Sequence, residues 1–354
     1  MSRSAKVFNT KLTRLLGIRT PVVLPPMAGA AGGKLAGQVS SAGGFGFLSA
    51  GYGASPTDLK QELSLARSVF QTPGSTHSTE VDFPVGVGYL GWQLETPKST
   101  LVELLPVALE QNVQAVWLAF GEDLAQWIRL IRDHDRHIGK DKKTLIFIQI
   151  STVKEALIAA HEWKVDCIVA QGVESGGHGA GYALPLQNLL PLILAALPAD
   201  SPPVLAAGGL ANGGHLASVL TLGAAGAVYG TRFLLAHESL YSDLQRNALV
   251  SADSDLSVRS MAWDYARETL GWPAGIDGRG LRNGTVKDFE KGLDLEALKI
   301  KFQEGVKNQD IDRLIVWAGT GVGQMNQTQP AKEIVEELHK EAVEHLEAAT
   351  KLYS

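Results

Sequence analysis

Short runs of apolar residues alternate with longer segments of helical periodicity along most of the chain. Eight apolar runs recur, at residues 22–29, 45–51, 83–91, 115–121, 144–150, 167–172, 204–209 and 227–233. The segments between them repeat apolar residues at intervals of three and four, as amphipathic helices do. Strands that alternate with helices predict a parallel sheet covered by helices. Because the runs are continuously apolar, we expect strands that are buried on both faces.

The number of strand–helix units favours a TIM (β/α)8 barrel over a six-stranded doubly wound sheet. In this α/β fold, the loops at the carboxyl ends of the strands form the active site. Glycine accounts for 38 of the 354 residues, and many glycines lie at or near the predicted carboxyl ends. We therefore expect these glycine-rich loops to border a ligand.

The strand–helix pattern stops after the eighth apolar run. Residues 240–327 are polar and rich in helical patterns, and we interpret them as a small lid or insertion domain. Residues 328–354 return to an amphipathic helix. The sequence thus predicts a barrel formed by residues 1–239 and 328–354, with the last helix as its eighth.

Composition and charge narrow the class of protein. The net charge of −5 argues against nucleic acid as a partner, and the most apolar stretch, 184–197, is too short and proline-interrupted for a membrane span. The single cysteine, Cys167, excludes an intrachain disulfide and is typical of a reducing, cytoplasmic location.

The first part of the chain is basic, and no acidic residue precedes Asp58. We interpret the basic start as the entry to the barrel, with an organellar targeting segment as the alternative.

The loop after the sixth run carries the strongest chemical pattern. Glycines surround a single histidine, His178, in the sequence QGVESGGHGAG that begins at Gln171. Such a loop lets the backbone approach a flat ligand closely, and an imidazole is well suited to proton transfer near neutral pH. We predict that His178 is catalytic; a surface histidine in a flexible turn is the alternative.

The loops after the seventh and eighth runs predict a phosphate site. TIM barrels commonly bind phosphate at these two loops and a helix N-terminus. Gly208 and Gly209 permit close approach, Gly230 and Thr231 offer N–H groups and a hydroxyl, and Arg232 is expected to add positive charge. Tight packing of small residues between strand and helix is the alternative.

Other segments carry weaker signals. Met27 and Ala28 follow two prolines at the first strand's exit and suit contact with a flat ring. Residues 86–91 match G-x-G-x-x-G, but Pro97 follows closely and no helix opens at once, so we reject a dinucleotide site. The GTGVGQ segment at 319–324 is interpreted as a connector, with a contribution to the pocket as the alternative.

Three of these segments, with PPMAG at residues 25–29, resemble the nitronate monooxygenase family, once called 2-nitropropane dioxygenases. The segments are QGVESGGHG at 171–179, AAGGLANGG at 206–214 and YGTRFLLAHES at 229–239. The length and post-barrel segment are similar to the fungal-type branch. The resemblance implies a TIM-barrel flavoprotein that binds FMN without covalent attachment. Such enzymes oxidise alkyl nitronates, and in some members neutral nitroalkanes, with O2 to a carbonyl compound and nitrite.

The resemblance also implies roles for individual residues, with His178 as the catalytic base and no metal. The residues expected to bind the cofactor are Pro26, Met27, Ala28, Gly88, Gln149, Gln171, Gly176, Gly177, Gly208, Gly209, Tyr229, Gly230 and Thr231. Among these, Gly209, Tyr229, Gly230 and Thr231 would hold the FMN phosphate. Gly88 departs from many bacterial members, which have asparagine there, so one polar contact is missing or replaced; Gln149 is a candidate ring contact.

Three other functions share parts of this pattern. An FMN-dependent enoyl-acyl-carrier reductase shares ESGGH and would use NAD(P)H as its electron donor. A flavin-binding protein with little or repurposed activity is the second alternative. The third, a barrel of the inosine-monophosphate-dehydrogenase type, is rejected because the loop cysteine that such an enzyme needs is absent. The expected partners are a nitronate or nitroalkane and O2, without nucleic acid or membrane, and a homodimer is compatible with the sequence.

Overall fold

The computed structural model describes residues 6–50, 54–71, 83–96, 99, 101–139 and 143–352. Terminal residues 1–5 and 353–354, residue 51 of the second predicted strand, and Pro97 lie outside these ranges. The strands of the described residues are β1 (Val22–Leu24), β2 (Phe45–Ser49), β3 (Phe83–Leu90), β4 (Val113–Ala119), β5 (Leu145–Ile150), β6 (Cys167–Gln171), β7 (Gly177–Ala180), β8 (Val204–Ala207), β9 (Gly226–Val228), β10 (Ser257–Ser260) and β11 (Ile276–Leu281).

The helices alternate with these strands as far as β9 and continue beyond it. The α-helices are α1 (Lys11–Leu16), α2 (Gly33–Ser41), α3 (Pro56–Phe70), α4 (Gly91–Glu95), α5 (Leu101–Glu110), α6 (Leu124–His137), α7 (Val153–Leu157), α8 (Leu186–Ala196), α9 (Gly213–Thr221), α10 (Thr231–Leu234), α11 (Asp243–Val250), α12 (Ala262–Arg267), α13 (Gly284–Glu290), α14 (Leu295–Asn308) and α15 (Ala331–Ala349). One π-helical turn, Ile158–Glu162, extends α7, and two 3-10 turns lie at Ser254–Leu256 and Val322–Gln324. None of the helices described is long and apolar enough to cross a lipid bilayer.

Eight parallel strands close into a barrel in the order β1-β2-β3-β4-β5-β6-β8-β9. β9 pairs with β1 through Ala227 opposite Val22, and this pairing closes the ring. Large side chains fill the interior, where the rings of Phe47 and Trp117 meet edge to face at 5.2 Å. The predicted TIM-barrel fold is confirmed, and its interior is a packed core of the kind typical of this fold.

The last helix completes the outer layer. α15 packs against α9 and α2, and Ile334 and Leu338 on its apolar face are buried. The chain therefore packs against the barrel helices again in α15, and the predicted domain bounds stay a prediction. At the amino ends of the barrel strands, Leu12 and Leu16 of α1 belong to the same buried cluster as the interior side chains.

The segment between α10 and α15 contains strands as well as helices. β10 and β11 pair antiparallel, and β11 pairs in turn with β7, which belongs to the loop after β6. Ala30 and Leu234 from the barrel loops share a buried cluster with Tyr241 and Val316 from this segment. The segment thus packs on the barrel through an apolar interface and adds two strands to the loop that carries His178.

Candidate active site

A cavity of about 210 Å³ lies at the carboxyl ends of the barrel strands. On the same measure a single water needs about 10–15 Å³, so the cavity has room for a substantial ligand. Of the fourteen residues that the family resemblance implies for catalysis and cofactor binding, thirteen line it: Pro26, Met27, Ala28, Gly88, Gln149, Gln171, Gly176, Gly177, His178, Gly208, Gly209, Gly230 and Thr231. The loops of strands far apart in sequence therefore converge on one site.

One end of the cavity is formed by the backbone at the ends of β8 and β9. Gly208 and Gly209 have φ angles of +121° and +68°, in the region that favours glycine. A Cβ at Gly209 would lie 2.8 Å from Thr320 Oγ1. Thr231 begins α10, and the first N–H groups of a helix have no acceptor within the helix. Such backbone is suited to an anion, and we call this end, which Gly208, Gly209, Gly230 and Thr231 border, the anion end.

Two residues expected near the phosphate, Tyr229 and Arg232, are not among those that line the cavity. Tyr229 is fully buried, its hydroxyl donates to Asn212 O at 2.9 Å, and its N–H donates to Val23 O at 2.9 Å. Its side chain does not line the cavity, so the role implied for it stays a prediction. The expectation that Arg232 adds charge here is wrong, because its guanidinium is buried and pairs with Glu337 Oε2 at 3.0 Å.

The middle of the cavity wall holds polar atoms without partners. Within the described part of the chain, Gln149 Nε2, Gln171 Oε1 and Ser175 Oγ are buried and make no hydrogen bond. All three residues line the cavity. A buried polar group that lacks a partner costs about 1–3 kcal/mol, so a ligand with polar ring edges would relieve that cost. Gln171 Nε2 also donates to His178 O at 3.3 Å, which links this wall to the histidine loop.

Two further glycine-bearing segments, around Gly88 and at residues 319–324, lie beside the cavity. At Gly88 a Cβ would overlap the ring of Pro26, so asparagine cannot occupy this position while Pro26 keeps its place. The interpretation of 319–324 as a simple connector is wrong, because Gly319 and Gly321 line the cavity. Gly319 N–H also donates to Thr231 Oγ1 at 3.0 Å, which joins this segment to the anion end.

The other end of the cavity is built around His178 on β7. His178 Nε2 lies 3.0 and 3.1 Å from the two carboxylate oxygens of Asp264. Asp264 lies on α12 and is completely buried, and Thr269 Oγ1 donates to its Oδ1 at 2.8 Å. Burial alone would raise the pKa of Asp264, but the bonds and charges of His178, Thr269 and Arg267 outweigh it and lower that pKa. The pair thus combines an imidazole with an ionised carboxylate.

Aromatic rings enclose the imidazole. Trp272 stacks on His178 with ring centres 3.7 Å apart and planes at 11°, and Trp317 meets it edge on at 5.1 Å. Trp272 also contacts Phe120 at 5.5 Å. Only 11% of the His178 side chain is exposed. The rings therefore restrict both the orientation of the imidazole and its access to water.

Asp264, Trp272 and Trp317 were not predicted from the sequence. All three lie in the post-barrel segment, without a motif that ties them to His178. One usable signal was present: residues 261–272, MAWDYARETLGW, concentrate tryptophan and acid in an otherwise polar stretch. That density favours a buried polar site over a solvated helix.

A closed barrel with a glycine-lined cavity at the ends of β8 and β9 and a histidine–aspartate pair at its mouth has the architecture of a barrel enzyme. Residues 9–76 and 105–341 match the nitronate monooxygenase family. The chain belongs to this family, and it is therefore an oxidoreductase for which a flavin is implied.

Individual proteins are similar to this chain over most of its length. A nitronate monooxygenase of Neurospora crassa is 33% identical over 349 residues, covering 93% of this chain and 90% of its own. Among solved structures, FabK from Thermotoga maritima is 26% identical with a TM-score of 0.76, covering 97% of this chain and 99% of its own. A nitroalkane oxidase from Streptomyces ansochromogenes has the same identity and TM-score, covering 96% of this chain and all of its own.

Proposed function

We propose that this protein uses non-covalently bound FMN and O2 to oxidise alkyl nitronates to a carbonyl compound and nitrite. We also propose that His178 deprotonates neutral nitroalkanes to the nitronate. The observation that carries the proposal is one cavity with the glycine-rich backbone of the β8 and β9 loops at one end and the His178–Asp264 pair at the other. The family membership supports the nitronate as the class of substrate.

The described residues fit a flavin mononucleotide. The N–H groups around Gly209, Gly230 and Thr231 would hold the phosphate, and Met27 and Ala28 would lie against the ring system. Gln149, Gln171 and Ser175 each bring a buried polar atom without a partner to the cavity wall. The flavin, when bound, would accept electrons from the nitronate and pass them to O2, while the protein orients both.

The role of the protein in the proton step follows from the imidazole. The carbon next to a nitro group loses its proton before electrons can leave it, so a base within reach of that carbon is required. With Nε2 facing Asp264, the Nδ1 nitrogen of His178 is the available acceptor. A preformed nitronate has already lost this proton and needs no base.

The aromatic wall suits the same chemistry. Trp272, Trp317 and Trp117 line the cavity, and their apolar faces exclude water from the side where the substrate carbon would lie. A dry site strengthens the interaction between the imidazole and its carboxylate. It also favours an alkyl chain over a strongly hydrated group.

A reductase of the enoyl-acyl-carrier type is the second candidate function. FabK, the enoyl reductase of Thermotoga maritima, superposes with the same TM-score as the nitroalkane oxidase. Such an enzyme would take electrons from NAD(P)H instead of a nitronate. The two candidates share the fold and the flavin, so only the electron donor separates them.

The experiment compares wild-type protein with His178→Asn on nitroethane and on ethyl nitronate, with nitrite release as the readout. We expect nitroethane oxidation to fall about 10²–10⁴-fold, the usual contribution of a general base. Nitronate oxidation should change less than threefold. His137→Asn, an exposed histidine on α6, is the matched control and should leave both activities unchanged. Equal loss of both activities in His178→Asn would contradict the role as base.

A further inference from the structure

We propose that Asp264 is a positioning residue that holds His178 in the form that accepts a proton through Nδ1. The base of the reaction is then assembled from two parts of the chain, a barrel loop and the post-barrel segment. This inference rests on the proposed function, because it assigns a partner to the base of that reaction. Asp264 does not line the cavity, so it acts through the histidine.

The geometry selects one tautomer. Both Asp264 oxygens lie within hydrogen-bond distance of the same ring nitrogen, Nε2. An ionised carboxylate only accepts hydrogen bonds, so Nε2 must carry the hydrogen. The neutral imidazole has one N–H and one free lone pair, which leaves the lone pair on Nδ1. Once Nδ1 has taken a proton, the carboxylate stabilises the resulting imidazolium.

The surroundings of Asp264 keep it ionised. Its side chain is completely buried, and an isolated charge there would be strongly unfavourable. Thr269 Oγ1 donates to Oδ1 at 2.8 Å, and Arg267 Nη2 lies 3.5 Å from the same oxygen. These donors, with His178, hold its pKa below the usual value although burial opposes them. The carboxylate is therefore charged throughout the neutral range.

The backbone and the rings hold the histidine against this carboxylate. His178 lies opposite Gly278 in the pairing of β7 with β11. The indole of Trp272 lies flat on the imidazole at 3.7 Å and blocks rotation of the ring out of its plane.

Other charges near His178 are already paired or lie on the far face of the small sheet. Arg267 of α12 is the one further charged residue among those described that lines the cavity. Arg259, Asp277 and Arg279 flank Gly278 and Val258, and alternation places them on the face opposite His178. Arg259 Nε pairs there with Asp277 Oδ1 at 2.5 Å. Asp264 is thus the carboxylate that faces the imidazole.

The first test is Asp264→Asn, which keeps the volume but places an amide beside Nε2. The amide can donate to Nε2 and so move the ring hydrogen to Nδ1, and such a tautomer change costs up to about 10⁴-fold in a serine-protease triad. We expect the kcat/KM for nitroethane to fall at least about 10²-fold, with ethyl nitronate oxidation and flavin content near wild type. Equal loss on both substrates, or no loss on either, would overturn the proposal.

A double-mutant cycle separates positioning from a structural role. If Asp264 acts through the histidine, adding Asp264→Asn to His178→Asn causes no further loss of nitroethane oxidation. If the two losses multiply, Asp264 acts independently of His178 and the proposal fails. Thermal unfolding of each variant, with its flavin bound, shows whether a folded protein is being compared.

The second readout does not depend on activity. Wild-type holoenzyme labelled with ¹⁵N-histidine is examined by NMR, and the His178 signals are assigned by their loss in His178→Asn. We expect the neutral ring to carry its hydrogen on Nε2 in the wild type. A hydrogen on Nδ1 would overturn the proposal even if the enzyme oxidises nitronates. If instead the tautomer is as expected and no nitronate is oxidised, the proposed function fails and this inference survives.

Discussion

The two ends of the cavity are built in different ways. The anion end, where we propose that the phosphate binds, consists of backbone from consecutive barrel loops, and its geometry depends on glycines such as Gly208 and Gly209. The end where we propose proton transfer consists of side chains, and it brings His178 on a barrel loop against Asp264 and Trp272 from the post-barrel segment. A site made of backbone loses ligand affinity when an added Cβ displaces the loop, whereas a site made of side chains loses activity when a functional group is removed.

This difference predicts that Gly209→Ala damages the anion end while leaving the base intact. The positive φ of +68° and the 2.8 Å approach to Thr320 Oγ1 would shift the loop. A change of about 3 kcal/mol corresponds to about a 10²-fold weaker affinity, and we expect a loss of that order for FMN. Gly292→Ala is the matched control, since Gly292 has φ +77° with open space around it.

This prediction is tested by measuring the dissociation constant for FMN, from fluorescence quenching, on each protein after its flavin has been removed. Gly292→Ala should bind FMN as the wild type does. Equal affinities for Gly209→Ala and Gly292→Ala would show that the anion end does not depend on the glycine backbone.

At the other end, Trp272→Ala should reduce nitroethane oxidation about tenfold relative to nitronate oxidation. The stacked ring excludes water from the imidazole, and an aromatic pair contributes about 0.5–1.5 kcal/mol. Trp272→Phe keeps a ring over His178 and should lose about threefold or less. The measurement is the ratio of kcat/KM for the two substrates. A Trp272→Phe variant as impaired as Trp272→Ala would argue against stacking as the cause.

The smallest expected effect comes from Thr269→Val. This change removes one donor to Asp264 while His178 and Arg267 remain, so a loss of about 0.5–1.5 kcal/mol is expected. Nitroethane oxidation should fall about threefold, the rate equivalent of about 0.7 kcal/mol, and flavin affinity should stay constant. Thr350→Val, at the end of α15, is the control. A loss of flavin in Thr269→Val would mean that the two ends are not independent.

The barrel strands and the strands of the post-barrel segment also differ in how well the sequence predicts them. Buried parallel strands are continuous apolar runs, and so the run at 45–51 corresponds to β2 at Phe45–Ser49. β10 is SVRS and β11 is IDGRGL, without an apolar run or clean alternation, and both escaped prediction. They form because β10 pairs with β11, and β11 pairs with β7, whose residues lie almost a hundred positions away in the chain.

The residues of the candidate site likewise differ in how well the sequence predicts them. Backbone-built loops require glycine at fixed points, so Gly176, Gly208 and Gly230 were visible in the sequence and line the cavity. Asp264 could not be assigned, because one buried carboxylate on a short helix has no local pattern. Its role depends on the distance to His178, which only the folded chain determines.

The most direct test of the account is anaerobic mixing of the purified protein with ethyl nitronate and, separately, with NADPH, while the flavin absorbance is followed. We predict a yellow protein that releases FMN on denaturation, and whose absorbance near the visible flavin bands is bleached by the nitronate but not by NADPH. Bleaching by NADPH alone would contradict the account and favour the reductase. A colourless protein that does not take up FMN would contradict both.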